Sequence, residues 1–180
     1  DIPFKEIKYI HHISDVHIRN LKRHAEYEQV FEKLYDKIKE NRENSLIYIG
    51  GDIAHSKTDM SPELVDQTSR FLKSLSEICP TIVITGNHDC NLNNLNRLDV
   101  LTPIINNLNL PNLHYLIHSG VYDIADVSFV VWDVWEDEEN YIKASDFKAD
   151  TKVALYHGTV DRSKTDVGFS LPGKVTIDYF

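Results

Sequence analysis

The chain has 180 residues, 42% hydrophobic and 26% charged, which suffices for one globular domain with a sizeable core. Its net charge of −9 argues against a generic basic nucleic-acid coat, although bound divalent metals would reverse the field at a phosphate site. No apolar run approaches the ~20 residues of a membrane span, and the mixed-charge start DIPFKEIKYI lacks the apolar block of a signal peptide. Cys79 and Cys90 are too few for a disulfide framework or a Cys-rich zinc site. They are read as two reduced thiols in an intracellular protein (cytoplasmic, nuclear or viral), not secreted and not on a membrane.

The run IKYIHHIS (7–14) predicts a strand ending at Asp15. Residues 25–40 predict a helix, with Val30, Phe31, Leu34, Tyr35 and Ile38 on its buried face. SLIYIG (45–50) reads as a continuously apolar strand that stops at Gly51 and Asp52. Ser61 followed by Pro62 marks a helix start, and Leu64, Val65, Phe71, Leu72, Leu75 and Ile78 give that helix a buried stripe. TIVIT (81–85) is the third strand, ending at Gly86. Apolar strands alternating with amphipathic helices imply a parallel sheet covered on both faces. Residues 95–108 predict a partial helix limited by Pro103. HYLIHS, GVYDIA and VSFVVWDV then read as closely spaced strands, with an antiparallel turn near Ala125–Asp126. WEDEENYIKASDF is expected to be a solvated helix or loop, and KVALYH (152–157) another buried strand. VTIDYF at the end reads as a strand cut off before its loop; with Asp rather than Met at position 1, this suggests a piece of a longer protein.

Strand ends carry the chemistry. The first ends Ser14-Asp15-Val16-His17, the second Gly50-Gly51-Asp52, the third Gly86-Asn87-His88-Asp89, and a later one His157-Gly158. In open α/β sheets ligands bind at the carboxyl ends of strands, so four segments deliver metal-binding side chains to one edge. Asp15 and His17, two apart, would point the same way in extended geometry. Carboxylate, imidazole and amide oxygen together suit hard or borderline divalent ions such as Mn, Fe or Zn. A carboxylate such as Asp52 can bridge two ions, and two ions ~3.5–4 Å apart hold a phosphate and activate water for in-line attack.

These motifs, D-x-H, G-D, G-N-H-D and a lone H in that order across residues 15–157, resemble the calcineurin-like metallophosphoesterase superfamily. The resemblance implies a two-sheet α/β/β/α sandwich of mixed sheets with helices on the outer faces, formed by one domain over residues 1–180. It implies two divalent ions, most readily Mn²⁺, with Fe²⁺, Zn²⁺ or Mg²⁺ as alternatives. Asp15 and His17 would bind the first metal, Asp52 would bridge both, and Asn87 and His157 would bind the second. His88 would protonate the leaving oxygen, with Asp89 orienting its ring. The superfamily's last motif, G-H-x-H, does not occur before Phe180, and the domain is expected to be incomplete at its C-terminus.

HHISDVHI, GGDIAHSK and TGNHD look most like SbcD-type nucleases of DNA double-strand-break repair, and NLNNLNRLDVLTPII and HGTVDRSKTDVGF like phage and large-virus versions. That likeness implies exonuclease and endonuclease action on DNA in recombination and repair, with an SMC-like ATPase as partner. It also implies a homodimer through residues 62–78 and 95–108, and a place for His55 near the DNA. Arg162 and Lys164, after His157, are candidate phosphate contacts. The alternatives are a phosphatase or phosphodiesterase for small or nucleotide substrates, and an inactive metal-site scaffold. His11, His12, His24, His114 and His118 read as structural or exposed, and Trp132 and Trp135 as core.

Overall fold

The computed structural model describes residues 2–94, 96–173 and 175–176. Four parallel strands form the first sheet in the order β1 (Tyr9–Ile13), β2 (Ser45–Ile49), β3 (Thr81–Val83) and β4 (Leu113–Tyr115). Helices α1 (His24–Lys39), α2 (Pro62–Ile78) and α3 (Leu101–Leu108) make the crossovers and cover its outer face. β2 is central and buried at every residue, which explains its unbroken apolar sequence. Ser61 caps α2, its hydroxyl accepting from the Leu64 N–H, and Pro62 takes the first turn where an N–H is dispensable.

Phe31 and Phe71 join α1 to α2 with ring centroids 4.3 Å apart, each burial contributing roughly 1.5–3 kcal/mol. Val30, expected in this core, is 60% exposed because the stripe is centred on Phe31, Tyr35 and Ile38. Val65 lies at the margin of its stripe for the same reason. α3 is shorter than the 95–108 pattern because Asp99 stops it: its carboxylate accepts from the Leu101 and Thr102 N–H groups at 2.8 and 2.7 Å. Pro103 thus falls in the first turn, where it breaks no bond.

The second sheet is mixed. β5 (Gly120–Ile124) and β6 (Val127–Trp132) form the expected antiparallel hairpin, turning at Ala125 and Asp126, and β6 pairs in parallel with β7 (Lys152–Tyr156). HYLIHS does not belong to this group: its first residues complete β4 in the parallel sheet. Leu46, Tyr48, Ile82 and Ile84 pack against Val127, Phe129, Val131 and Leu155 between the two sheets. Two 3₁₀ turns, Glu138–Asn140 and Ala144–Asp146, cross the outer face of the second sheet, and the residues that follow them, Tyr141, Ile142 and Phe147, pack with Val130, Trp132 and Ala154. The acidic stretch is therefore anchored rather than wholly solvated: Tyr141 is buried against Trp132, whose indole N–H donates to the Ile142 carbonyl at 2.9 Å. A short ribbon follows β7, formed by β8 (Ser163–Lys164) and β9 (Ser170–Leu171). Of the expected last strand, Val175 forms a bridge with Val160, and residues 177–180 lie outside the described residues. Among the described residues no helix is long and apolar enough to cross a membrane.

Candidate metal centre

The carboxyl ends of β1, β2, β3 and β7 meet at one edge. Asp15, His17 and Asp52 all have left-handed backbone, φ 56°, 49° and 54°. Asp15 and His17 are thus not brought together by strand alternation as the D-x-H spacing suggested. Each such non-glycine residue costs of order 1–3 kcal/mol, and hydrogen bonds between the loops hold them there. The Asp15 N–H donates to the Gly51 carbonyl at 3.2 Å and the His17 N–H to the Asp52 carbonyl at 2.9 Å.

Asp52 sits at the middle. One carboxylate oxygen lies 3.5 Å from His17 Nε2, and the other 3.4 Å from His157 Nε2. The latter also accepts from the His88 N–H at 2.8 Å. Gly86 is obligatory beside it, since a Cβ there would collide with the Asp52 backbone nitrogen and carboxylate. His157 Nδ1 faces the Gly50 carbonyl at 2.6 Å, which leaves Nε2 toward Asp52 and Asn87 Oδ1, the latter 3.0 Å away. Such a hydrogen bond to a backbone carbonyl fixes the tautomer and orientation of the ring. His17 Nε2 is 3.7 Å from Asp15, whose other oxygen accepts from the Ser14 hydroxyl at 2.6 Å.

The geometry corrects one expectation. Asp89 does not hold the His88 ring. It is fully buried, and its two oxygens accept the N–H groups of Asp52, Ala54 and Gly86 at 2.7, 2.9 and 3.0 Å. Asp89 is a clamp binding the β2 and β3 loops into one unit. His88 Nδ1 instead faces the backbone carbonyl of His55 at 3.0 Å, and the two rings lie nearly parallel with centroids 5.8 Å apart. His55 thus stands at the site through its main chain as well as its ring. Arg162 is not gathered in: it sits on the ribbon beyond His157, 92% exposed, 3.5 Å from Asp161. Sequence reasoning missed Ser14 and the carbonyls of Gly50 and His55. The serine beside Asp15 was a usable signal; the carbonyls leave none.

The chain matches the calcineurin-like phosphoesterase family over residues 8–175. It belongs to that family. Metal-dependent phosphoester hydrolysis is the family's chemistry. The chain is also 48% identical over 178 residues to uncharacterized protein R555 of Acanthamoeba polyphaga mimivirus, the match covering 92% of this chain and 13% of that relative.

The donor set fits the divalent ions that calcineurin-like phosphoesterases use. Oxygen and imidazole nitrogen atoms of Asp15, Asp52 and His157 lie within 4.8 Å of one another, as do nitrogens of His17, His55 and His88. Such spacing and chemistry suit borderline ions. The buried His17 Nδ1 has no hydrogen-bond partner among the described residues, so no second bond restrains that ring.

Protons mark the same place. Burial alone would lower His157, but the Asp52 carboxylate, the Gly50 carbonyl and then Asp15 raise it to about 9 from the ordinary 6.5. Burial would likewise raise Asp52, yet the His157 ring and His88 N–H bring it below the ordinary carboxylate value. In the metal-free protein, protonated His157 supports the fold fully below pH 6.5, and that support is lost as pH rises through about 9. Burial raises Asp89 to about 7 against its three N–H donors. Burial also pushes the Cys90 thiol to about 12, so the cysteine carries no thiolate chemistry.

Proposed function

We propose that the domain is a divalent-metal phosphodiesterase acting on DNA, with Mn²⁺ as the preferred ion. The reading rests above all on Asp52, a buried carboxylate that turns one oxygen to His17 and the other to His157. Ions held by Asp15, His17, Asp52, Asn87 and His157 would supply positive charge to hold a phosphate and to activate water. The protein's own groups do the rest. The Asp89 clamp fixes Asp52 against both histidines. His88 projects beside His17, ring centroids 4.8 Å apart, and is the proton donor to the leaving oxygen. The His55 carbonyl holds Nδ1–H and leaves Nε2 as the working nitrogen. His55 itself is a substrate contact, and Arg162 a more remote one.

The choice of DNA is supported by the likeness of GGDIAHSK and TGNHD to SbcD-type nucleases and by His55 meeting His88 across that loop. The same likeness carries the proposals of exonuclease and endonuclease modes in recombination and repair, and of an SMC-like ATPase partner. A homodimer through residues 62–78 and 95–108 is supported by the exposed apolar side chains of Val65 and Leu98 within them. The acidic net charge favours a second reading, a phosphodiesterase for small or nucleotide substrates. Turnover of a nitrophenyl phosphodiester, a nitrophenyl phosphomonoester, a cyclic nucleotide and DNA with Mn²⁺ separates them. The DNA reading expects hydrolysis of the diester and of DNA. Diester hydrolysis with intact DNA favours the second reading, and no hydrolysis of any substrate favours a scaffold.

A further inference from the structure

We propose that Tyr27 of α1 is a positioning residue for His17: its hydroxyl holds the His17 backbone so that the ring can meet an ion beside Asp52. This rests on the metal reading above. The Tyr27 hydroxyl donates to the His17 carbonyl at 2.7 Å.

The contact matters because the His17 ring has little else to place it. The His157 ring is oriented directly, with Nδ1 against the Gly50 carbonyl. His17 Nδ1 is buried and has no hydrogen-bond partner among the described residues. Its Nε2 faces the carboxylates, 3.5 Å from Asp52 and 3.7 Å from Asp15. Placing that nitrogen therefore falls to the main chain from which the ring projects. That main chain is left-handed, φ 49°, a conformation few non-glycine residues adopt unless held. Both of its polar groups are held. The N–H donates to the Asp52 carbonyl at 2.9 Å, which ties His17 to the loop after β2, and the carbonyl takes the Tyr27 hydroxyl, which ties it to α1.

Tyr27 is itself fixed. It lies near the start of α1 and packs on the core beside Phe31, ring centroids 5.8 Å apart. That end of the helix is tied to its surroundings twice more. Gln67 of α2 donates through Nε2 to the His24 carbonyl at 3.0 Å, and His24 Nε2 faces the Arg19 carbonyl at 2.6 Å. Packing beside Phe31 asks only for an aromatic ring, and the hydroxyl has no partner but His17 among the described residues. Metal–ligand distances tolerate only about ±0.2 Å, so a slight loosening of this main chain is enough to weaken the ion's hold on the ring.

The test is a double-mutant cycle read by calorimetric titration of metal-free protein with Mn²⁺, using wild type, Tyr27→Phe, His17→Ala and the double variant. Tyr27→Phe keeps the ring and removes only the hydroxyl. It is expected to weaken Mn²⁺ binding about 10- to 100-fold, the range for outer partners of metal-ligating side chains. In the His17→Ala background it is expected to cost nothing further, since no ring is left to place. Wild-type affinity in Tyr27→Phe overturns the inference. Equal losses in both backgrounds also overturn it, because the hydroxyl then supports the fold at large. His17→Ala that binds Mn²⁺ as tightly as wild type overturns it too, while leaving a centre at Asp52 standing. Wild-type protein that binds no Mn²⁺ overturns the metal reading, and the role of Tyr27 with it.

Discussion

His88→Ala is expected to lower phosphodiester turnover about 10²- to 10⁴-fold, the range that general acid catalysis contributes, with bound metal unchanged. The separation follows from position. His88 uses its backbone N–H to bind Asp52 and its Nδ1 to face the His55 carbonyl. Alanine keeps the first contact and removes only the ring, so the Asp52 carboxylate keeps its setting. The measurement is turnover with paired elemental analysis. Unimpaired turnover contradicts the assigned donor, and loss of metal together with turnover makes His88 a ligand instead. A substrate whose leaving group needs no proton, such as a nitrophenolate, should lose less than DNA does.

Asp89→Ala is expected to be the most destabilising single change at this edge. It strands three backbone N–H groups, those of Asp52, Ala54 and Gly86, in a place water does not reach. Each buried unpaired group costs about 1–3 kcal/mol, so the total is upwards of ~3 kcal/mol against the ~5–15 kcal/mol that holds a typical domain. For a chain of this length that is a melting temperature lower by about 6 °C or more, measured by thermal unfolding of the metal-free protein. Asp89→Asn keeps an acceptor but turns an NH₂ toward N–H donors, and should fall between. Wild-type melting in Asp89→Ala contradicts the clamp. His88→Ala should melt with the wild type, which separates the clamp from the acid.

Much of the site was legible because strand ends are local. Apolar runs stopping at Asp15, Asp52, Gly86 and His157 place those residues at the carboxyl edge whatever the tertiary detail. The manner of their meeting was not legible. Left-handed backbone at Asp15, His17 and Asp52 is held by hydrogen bonds between loops, and the enrichment of Asp and His at positive φ is too weak a preference to announce it. The adjacency of His88 and Asp89 suggested a paired acid and orienter. Neighbouring side chains at a tight turn diverge, and Asp89 turned inward to unpaired N–H groups. A carbonyl took the orienting role, and every residue has one.

The fold shows the same division. The strand–helix alternation of the first half gave its parallel sheet. β4 was drawn to the wrong sheet because three residues carry too little pattern to choose a partner. The cover over Trp132 was hidden because Tyr141 is one aromatic among acids, and its burial depends on a ring 5.4 Å away in another element.

The central claim is that this edge is a divalent-metal centre built around Asp52, and calorimetric titration of metal-free protein with Mn²⁺ tests it most directly. A metal held as proposed would need the His157 nitrogen without its proton, yet Asp52 and the Gly50 carbonyl raise the metal-free ring to about 9. Titration at about pH 7.5 in buffers of differing ionisation enthalpy should therefore show Mn²⁺ binding with release of roughly one proton, affinity rising with pH toward the His157 value, and loss of this binding in Asp52→Asn. No bound Mn²⁺ at millimolar concentration, or binding that releases no proton and survives Asp52→Asn, would contradict it.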